Sequence, residues 1–237
     1  FGGSPGRDKA TGQGLVFVLD ALFPEMGLDL SEQSVGLLGF GNVGSWTGRL
    51  LQQRGCTIKT VMDHTGAIHN EKGLDTEALT KHVEEFGGVS GFPNALPIPI
   101  SQFYETAVDL FIPAALEQMI GPDEARKLNC KIVIEGANAP TTPAGERVLK
   151  EKGIQILPAI LCNAGGVTVS YFEWKQNRQS ETWELEHVDA ELKRKMFSAA
   201  KRVAARAKEL NVDMRVASYA EALQHLKCIY ELRGIFP

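Results

Sequence analysis

The stretch from Val35 to Asp63 limits the fold more than any other. An apolar segment (Val35, Leu37, Leu38) runs straight into Gly39-Phe40-Gly41-Asn42-Val43-Gly44. The next residues place Val43, Trp46, Thr47, Leu50 and Leu51 at i, i+3, i+4, i+7 and i+8, which is one face of a helix. A second strand-like run, Thr57 to Met62, ends in Asp63, nineteen residues beyond Gly44. Strand, glycine turn, helix, strand and acid is the order a dinucleotide-binding unit requires. Gly39 permits the tight turn, Gly41 lets backbone approach a pyrophosphate, and Gly44 lets helix and strand pack closely. Amides at the helix start, near Asn42 and Val43, would face phosphates with the favourable end of the helix dipole. Asp63 can accept hydrogen bonds from an adenosine ribose, and its charge would repel a 2′-phosphate.

Strand and helix signals alternate along the rest of the chain. Ala10 to Met26 has helical spacing (Leu15, Val18, Leu19, Leu22) and stops at Gly27. After a short turn at Thr65-Gly66 comes a helix from Asp75 to Phe86, and Gly87 to Pro99 reads as a loop. Val108 to Ile112, Lys131 to Ile134 and Ile154 to Leu157 read as short strands, with a helix from Pro143 to Lys152 closed by Gly153. From Asp189 the chain reads as helical, with an apolar stripe through Leu192, Met196, Ala199, Val203, Ala207 and Leu210. A final helix covers residues 213–232. The alternation predicts a Rossmann-type, doubly wound α/β fold. Its sheet is mostly parallel with helices on both faces, and C-terminal helices occupy residues 188–237. Ligands on such a sheet bind beyond the carboxyl ends of the strands.

Bulk properties narrow the function by exclusion. A net charge of −4 gives no reason for nucleic acid or an acidic membrane as a partner, and no apolar run is long enough to span a bilayer. The four cysteines form no CxxC, so free thiols in a reducing, cytoplasmic setting are expected. The five histidines lack metal-ligand spacing, and neither a GxSxG elbow nor a Walker motif is present. Two segments carry more polar groups at element ends than packing needs: EGANAPTTP (residues 135–143) and NAGGVTVSYFEW (residues 163–174). Asn163 and the pair Gly165-Gly166 read as preceding a helix that carries Val167 and Ser170. An Asn there serves equally as a nicotinamide carboxamide partner or as a helix N-cap. Val167 serves equally as a pocket wall or as core.

GGSPGR…ATGQG, GFGNVG, IPAA, EGANAPTTP and NAGGVTVSYFEW, in that order over essentially the whole chain, resemble the coenzyme-binding domain of glutamate dehydrogenases. The resemblance implies oxidative deamination of L-glutamate to 2-oxoglutarate and ammonium, with hydride passing to NAD. NADP stays open if His64 and Thr65 hold its phosphate. By matching motif it implies that Arg7 and Thr11 lie near the nicotinamide and that Gly41, Asn42 and Val43 hold the pyrophosphate. Asp63 would face the ribose, Ala114 and Ala115 would line the groove, and Asn138 and Asn163 would contact the nicotinamide half. Val167 and Ser170 would shape a pocket for the substrate's side-chain carboxylate. Ser170 disfavours leucine, valine and phenylalanine dehydrogenases, whose pocket is expected to be apolar. The chain lacks an initiator methionine, which disfavours a free-standing nucleotide-binding regulatory protein and suggests a segment of a longer one. The family's preceding substrate domain, with its catalytic lysine and aspartate, would then be absent. No catalytic or metal residue is assigned here, and the chain alone is expected to be inactive. A homohexamer is implied for the full-length protein and a monomer for this piece, with a mitochondrial matrix location as the eukaryotic alternative.

Overall fold

The computed structural model describes residues 3–234, so Phe1, Gly2 and residues 235–237 lie outside the described part. Seven strands form one sheet: β1 (Ser34–Leu38), β2 (Thr57–Asp63), β3 (Gly66–His69), β4 (Leu96–Ile98), β5 (Leu110–Pro113), β6 (Ile132–Ile134) and β7 (Gln155–Leu157). Their spatial order is β4-β3-β2-β1-β5-β6-β7. β2, β1, β5, β6 and β7 run parallel, while β3 and β4 add an antiparallel edge beside β2. The chain leaves β1 toward β2 and later returns on β1's other side as β5. The sheet therefore reverses direction between β1 and β5, the position at which such sheets bind ligands.

Side-chain alternation on the central strands builds two cores. Val35 and Leu37 of β1, Leu110 and Ile112 of β5, and Ile132 and Ile134 of β6 all enter one core; Leu38, Phe111 and Val133 enter the other. All nine are essentially buried, which is why these strands read as continuous apolar runs. Helices α1 (Ala10–Leu22), α2 (Asn42–Gln52) and α3 (Thr76–Phe86) cover the first face. They are joined there by α7 (Ala159–Cys162), α8 (Ala164–Gln179) and α9 (Leu185–Leu210). α4 (Ile100–Glu105), α5 (Pro122–Lys127) and α6 (Pro143–Glu151) cover the second, around the Phe103–Tyr104–Phe111 aromatic group. Asp75 and Thr142 cap α3 and α6 by accepting backbone amides of their first turns.

Several expectations need correction. The Thr65-Gly66 turn continues into β3, and the Gly87–Pro99 segment contains β4 rather than loop alone. Both strands are too short for a period-2 signal, and Pro97 is tolerated because β4 is the sheet's edge. α1 stops at Leu22, with a 3₁₀ turn (Pro24–Met26) closed by left-handed Gly27, because Pro24 cannot continue the helix. It is buried nearly all round rather than along one stripe, since α2, α8 and α9 enclose it. On α2 the buried side holds the small residues Gly44, Ser45 and Gly48 with Thr47 and Leu51, while Val43, Trp46 and Leu50 are only half-buried. α9 begins four residues before Asp189, and its buried stripe runs through Val188, Leu192, Met196, Ala200 and Val203, with Leu210 exposed. The last helix, α10 (Met214–Arg233), is capped by Asp213 and buries only Ala217 and Ser218.

Candidate functional site

A groove of about 730 Å³ opens where β1 and β5 diverge. The glycine turn after β1 forms one end of it. Gly39 takes φ +99, and a Cβ there would meet Ala115 at 2.8 Å, so the turn lies directly against the end of β5. Gly44 needs its missing side chain for packing, since a Cβ would sit 2.0 Å from the Gly39 carbonyl oxygen. Gly41 differs: φ is −75 and nothing lies within 4 Å of a Cβ. The first intrahelical bond of α2 is Ser45 N–H to Gly41 C=O, so the preceding amides of residues 42–44 point outward at the helix's positive end. The Asn42 side chain donates to the Asp8 carbonyl at 2.7 Å and ties this turn to the segment leading into α1.

The other end joins α1, α8 and the loop after β6. Asn163 Nδ2 donates to Asn138 Oδ1 at 2.8 Å, bridging the start of α8 and the end of the EGAN segment after β6. Asn163 stands at the N-cap position of α8, but its side chain makes this bridge instead of capping an amide. Gly165 and Gly166 lie inside the first turn of α8, not ahead of it. A Cβ on Gly166 would come within 2.5 Å of Thr11 Oγ1, and one on Gly165 within 2.1 Å of the Ala10 carbonyl, so both admit α1. Arg7 Nε donates to Ser170 Oγ at 3.1 Å, and Ser170 Oγ donates to the Gly166 carbonyl at 3.1 Å. After β6, Ala139 adopts φ +41, a left-handed conformation that costs a non-glycine residue about 1–2 kcal/mol. Gln118 N–H to Ala139 C=O and Ile120 N–H to Pro140 C=O hold the loop in that shape.

A family model described as Glutamate/Leucine/Phenylalanine/Valine dehydrogenase matches residues 2–234. The chain belongs to this dehydrogenase family. It is 40% identical over its whole length to a glutamate dehydrogenase of Thermotoga maritima, of which it spans 57%. Among solved structures it is similar to a hetero-hexameric glutamate dehydrogenase from Thermus thermophilus in a Leu-bound form. There the TM-score is 0.91 with 30% identity, covering all of this chain and 56% of that one. It is also similar to the glutamate dehydrogenase of Peptoniphilus asaccharolyticus, with a TM-score of 0.84, 34% identity and the same coverage. The chain thus spans a little over half the length of these relatives.

Eight residues singled out from the sequence line one groove: Arg7, Thr11, Val43, Ala114, Ala115, Asn138, Asn163 and Val167. Gly39, Gly41, Asn42 and Gly44 build the turn at its edge. Val167 is 69% exposed, which rules out the core-packing alternative. Two expectations change. The Ser170 hydroxyl already donates to its own helix, so the free donors at this corner belong to Arg7. Asp63 is already engaged by protein groups: Oδ1 accepts Thr65 N–H and Oγ–H at 2.8 and 2.6 Å, and Oδ2 accepts Val89 N–H at 3.0 Å from the segment after α3. Thr65 Oγ1 also accepts from Ser90 N–H, which leaves His64, with an exposed side chain, the freer of the two proposed phosphate partners. Leu116, Glu117, Gly136 and Ala137 also line the groove and were missed. Leu116, 70% exposed right after a buried strand, is the residue whose type could have drawn notice.

A second, more apolar cavity of about 470 Å³ lies beside β7 at the other end of α1, among Leu22, Met26, Ala207 and Met214. Among the described residues no helix is long and apolar enough to cross a membrane, and no cluster of His, Cys, Asp or Glu is arranged to hold a metal.

Proposed function

We propose that this chain is the coenzyme-binding half of a glutamate dehydrogenase. The observation that carries the reading is the two-ended groove at the sheet's reversal point. One end offers open backbone amides at Asn42 and Val43 beside the unfilled space at Gly41, and the other an Asn138–Asn163 pair facing Arg7 and Thr11. The donor set fits a dinucleotide. Amides at a helix start suit a pyrophosphate, the empty space at Gly41 admits its close approach, and paired side-chain amides suit a carboxamide. When bound, the nicotinamide coenzyme supplies the hydride acceptor for oxidation of L-glutamate at Cα. The protein's share is to hold it, to fix the ring face with Asn138 and Asn163, and to present Arg7 beside Val167 to the substrate's side-chain carboxylate. Asp63 ends the strand next to β1, and its charge favours NAD over NADP.

The remainder of the full-length protein would supply the catalytic lysine and aspartate and assemble the hexamer. The substrate must sit about 3–3.5 Å from the nicotinamide, so half a clamp does not suffice for turnover. The testing experiment titrates this chain with NADH and with NADPH by fluorescence. Saturable NADH binding with weaker NADPH binding supports the reading. Equal binding removes the role of Asp63, and binding of neither overturns the coenzyme-binding assignment.

A further inference from the structure

Glu135 is a fully buried carboxylate in the first residue after β6, and its two side-chain hydrogen bonds lead to α7 on one side and to α10 on the other. Oε2 accepts the Ala159 amide at 2.9 Å, at the start of the short helix α7 that delivers Asn163. Three residues further along its own strand end lies Asn138. One carboxylate therefore stands at the root of both arms of the Asn138–Asn163 bridge. Oε1 accepts Nη2 of Arg215 at 2.8 Å, in the first turn of α10. Arg215 Nε lies 2.8 Å from Glu146 Oε2 on α6, as an ion pair without hydrogen-bond alignment. Glu146 pairs with Lys150 at 2.7 Å, and Lys150 with Asp213, the α10 cap, at 2.8 Å. The ring closes through α6 and the head of α10.

We propose that Arg215, acting through the buried Glu135 carboxylate, is a positioning residue for the Asn138–Asn163 bridge, so that the seating of α10 sets the geometry at that end of the groove. Burial works against the Arg215 charge, and the facing carboxylates Glu135 and Glu146 more than offset it, holding its pKa above the usual guanidinium value. Removing the cation strands a carboxylate that has no exposure to water, and that carboxylate must move or take up a proton. Either response pulls on Ala159 N–H and on the EGAN loop together. Beyond its first turns α10 leaves Tyr219, Leu223, Leu226 and Tyr230 exposed, so Arg215 is the point at which a change in that helix reaches the groove. The assignment of this end to nicotinamide rests on the function proposed above, whereas the coupling does not.

The test compares the chain with its Arg215→Met and Arg215→Lys variants by two measurements. Proton–nitrogen correlation spectra follow the Asn163 side-chain amide, assigned by its loss in Asn163→Asp. Titrations with NADH and with ADP-ribose, which lacks only the nicotinamide ring, then separate contacts to that ring from those to the rest of the nucleotide. In Arg215→Met the Asn163 signals shift while the Gln52 side-chain amide, on the far side of the sheet's reversal point, stays fixed. NADH binding weakens about fivefold, the loss of one modest hydrogen bond, and ADP-ribose binding is unchanged. Arg215→Lys keeps the charge but not the planar fork and gives a smaller shift of the same signals. Should Arg215→Met fail to fold, Arg215→Lys carries the same comparison. Unmoved Asn163 signals overturn the proposal, as does an equal loss of NADH and ADP-ribose affinity, which signals general loosening. If the unaltered chain binds neither nucleotide, the proposed function fails and the Asn163 spectra alone decide the coupling.

Discussion

Replacing Gly41 by alanine separates what the fold needs from what a ligand needs. The backbone there (φ −75, ψ −159) is extended, a conformation any residue adopts, and no atom lies within 4 Å of the added carbon. Folding stability should therefore stay within about 0.5 kcal/mol of the parent, or rise slightly because alanine restricts the unfolded chain. Gly44, three residues on, has no such room, since its Cβ would lie 2.0 Å from a carbonyl oxygen. The open volume in front of Gly41 is the volume a pyrophosphate would enter to reach the amides of Asn42 and Val43. A methyl group there displaces the phosphate from at least one charge-assisted hydrogen bond. That loss is worth about 1.5–3 kcal/mol, or about tenfold to a hundredfold in NADH affinity. Urea unfolding and an NADH fluorescence titration on the same preparation read both quantities. A stably folded Gly41→Ala chain with undiminished NADH affinity would refute the placement of the pyrophosphate. A large loss of stability would refute the claim that the glycine has space to spare.

Other perturbations have distinct signatures. Gly165→Ala drives a methyl against the Ala10 carbonyl and Gly14 Cα and should cost about 3 kcal/mol, lowering the melting temperature by about 6–12 °C; a thermal melt within about 2 °C of the parent would show that the helices part freely. Asp63→Ala removes the acceptor of three hydrogen bonds and should destabilise by about 1–3 kcal/mol while narrowing the NADH-to-NADPH preference. If stability falls and the preference holds, Asp63 is a loop clamp only. Burial would raise the Asp109 pKa, but the Lys131 ammonium and the Ser34 amide and hydroxyl outweigh it and bring it from 3.8 to about 2. The folded value is depressed, so this carboxylate's stabilisation is full above pH ~4 and is lost as pH falls toward 2. Acid titration of Asp109→Asn should show a flatter stability profile in that window, and an unchanged slope would count against it. Burial pushes the Cys56 and Cys130 thiols up to about 12 and Cys162 higher still, whereas Cys228 is exposed. A disulfide reagent should label one thiol per native chain quickly, and rapid labelling of two or more would contradict the burial.

The parallel half of the fold was legible because β1, β5, β6 and β7 are short apolar runs with glycine or proline at or just past their ends, β2 is a strand-like run closed by Asp63, and periodic helices lie between. β3 and β4 were not, because four and three residues on a sheet edge carry no measurable period. The burial of α1 on every side was hidden for a tertiary reason. Gly12, Gln13 and Gly14 carry no apolar side chain to mark a core face, and it takes the arrival of α2 at Gly12 and of α8 and α9, far along the chain, to enclose them. The groove residues were found through motif and resemblance, since Arg7 and Asn163 have side chains that suit surface or cap equally well. What the residue types could not give was partnership. Ser170 and Asp63 carry the expected groups, but which of their hydrogen bonds are already made depends on Gly166, Thr65 and Val89.

The glycines that admit α1 also fix a length. A Cβ on Gly12 would lie 2.9 Å from the Thr47 amide of α2, and one on Gly14 would lie 2.7 Å from Gly165 Cα of α8. At both crossings main chain meets main chain or the first side-chain atom, with no long side chain between to change rotamer. The spacing from the middle of α2 to the head of α8, the helices that carry the two ends of the groove, is therefore set by direct main-chain packing rather than by side-chain rotamers. Leucines and valines elsewhere in the core can be exchanged, or can hop between rotamers on warming, without altering that span. The groove has the constancy of a ruler whose marks are three glycines.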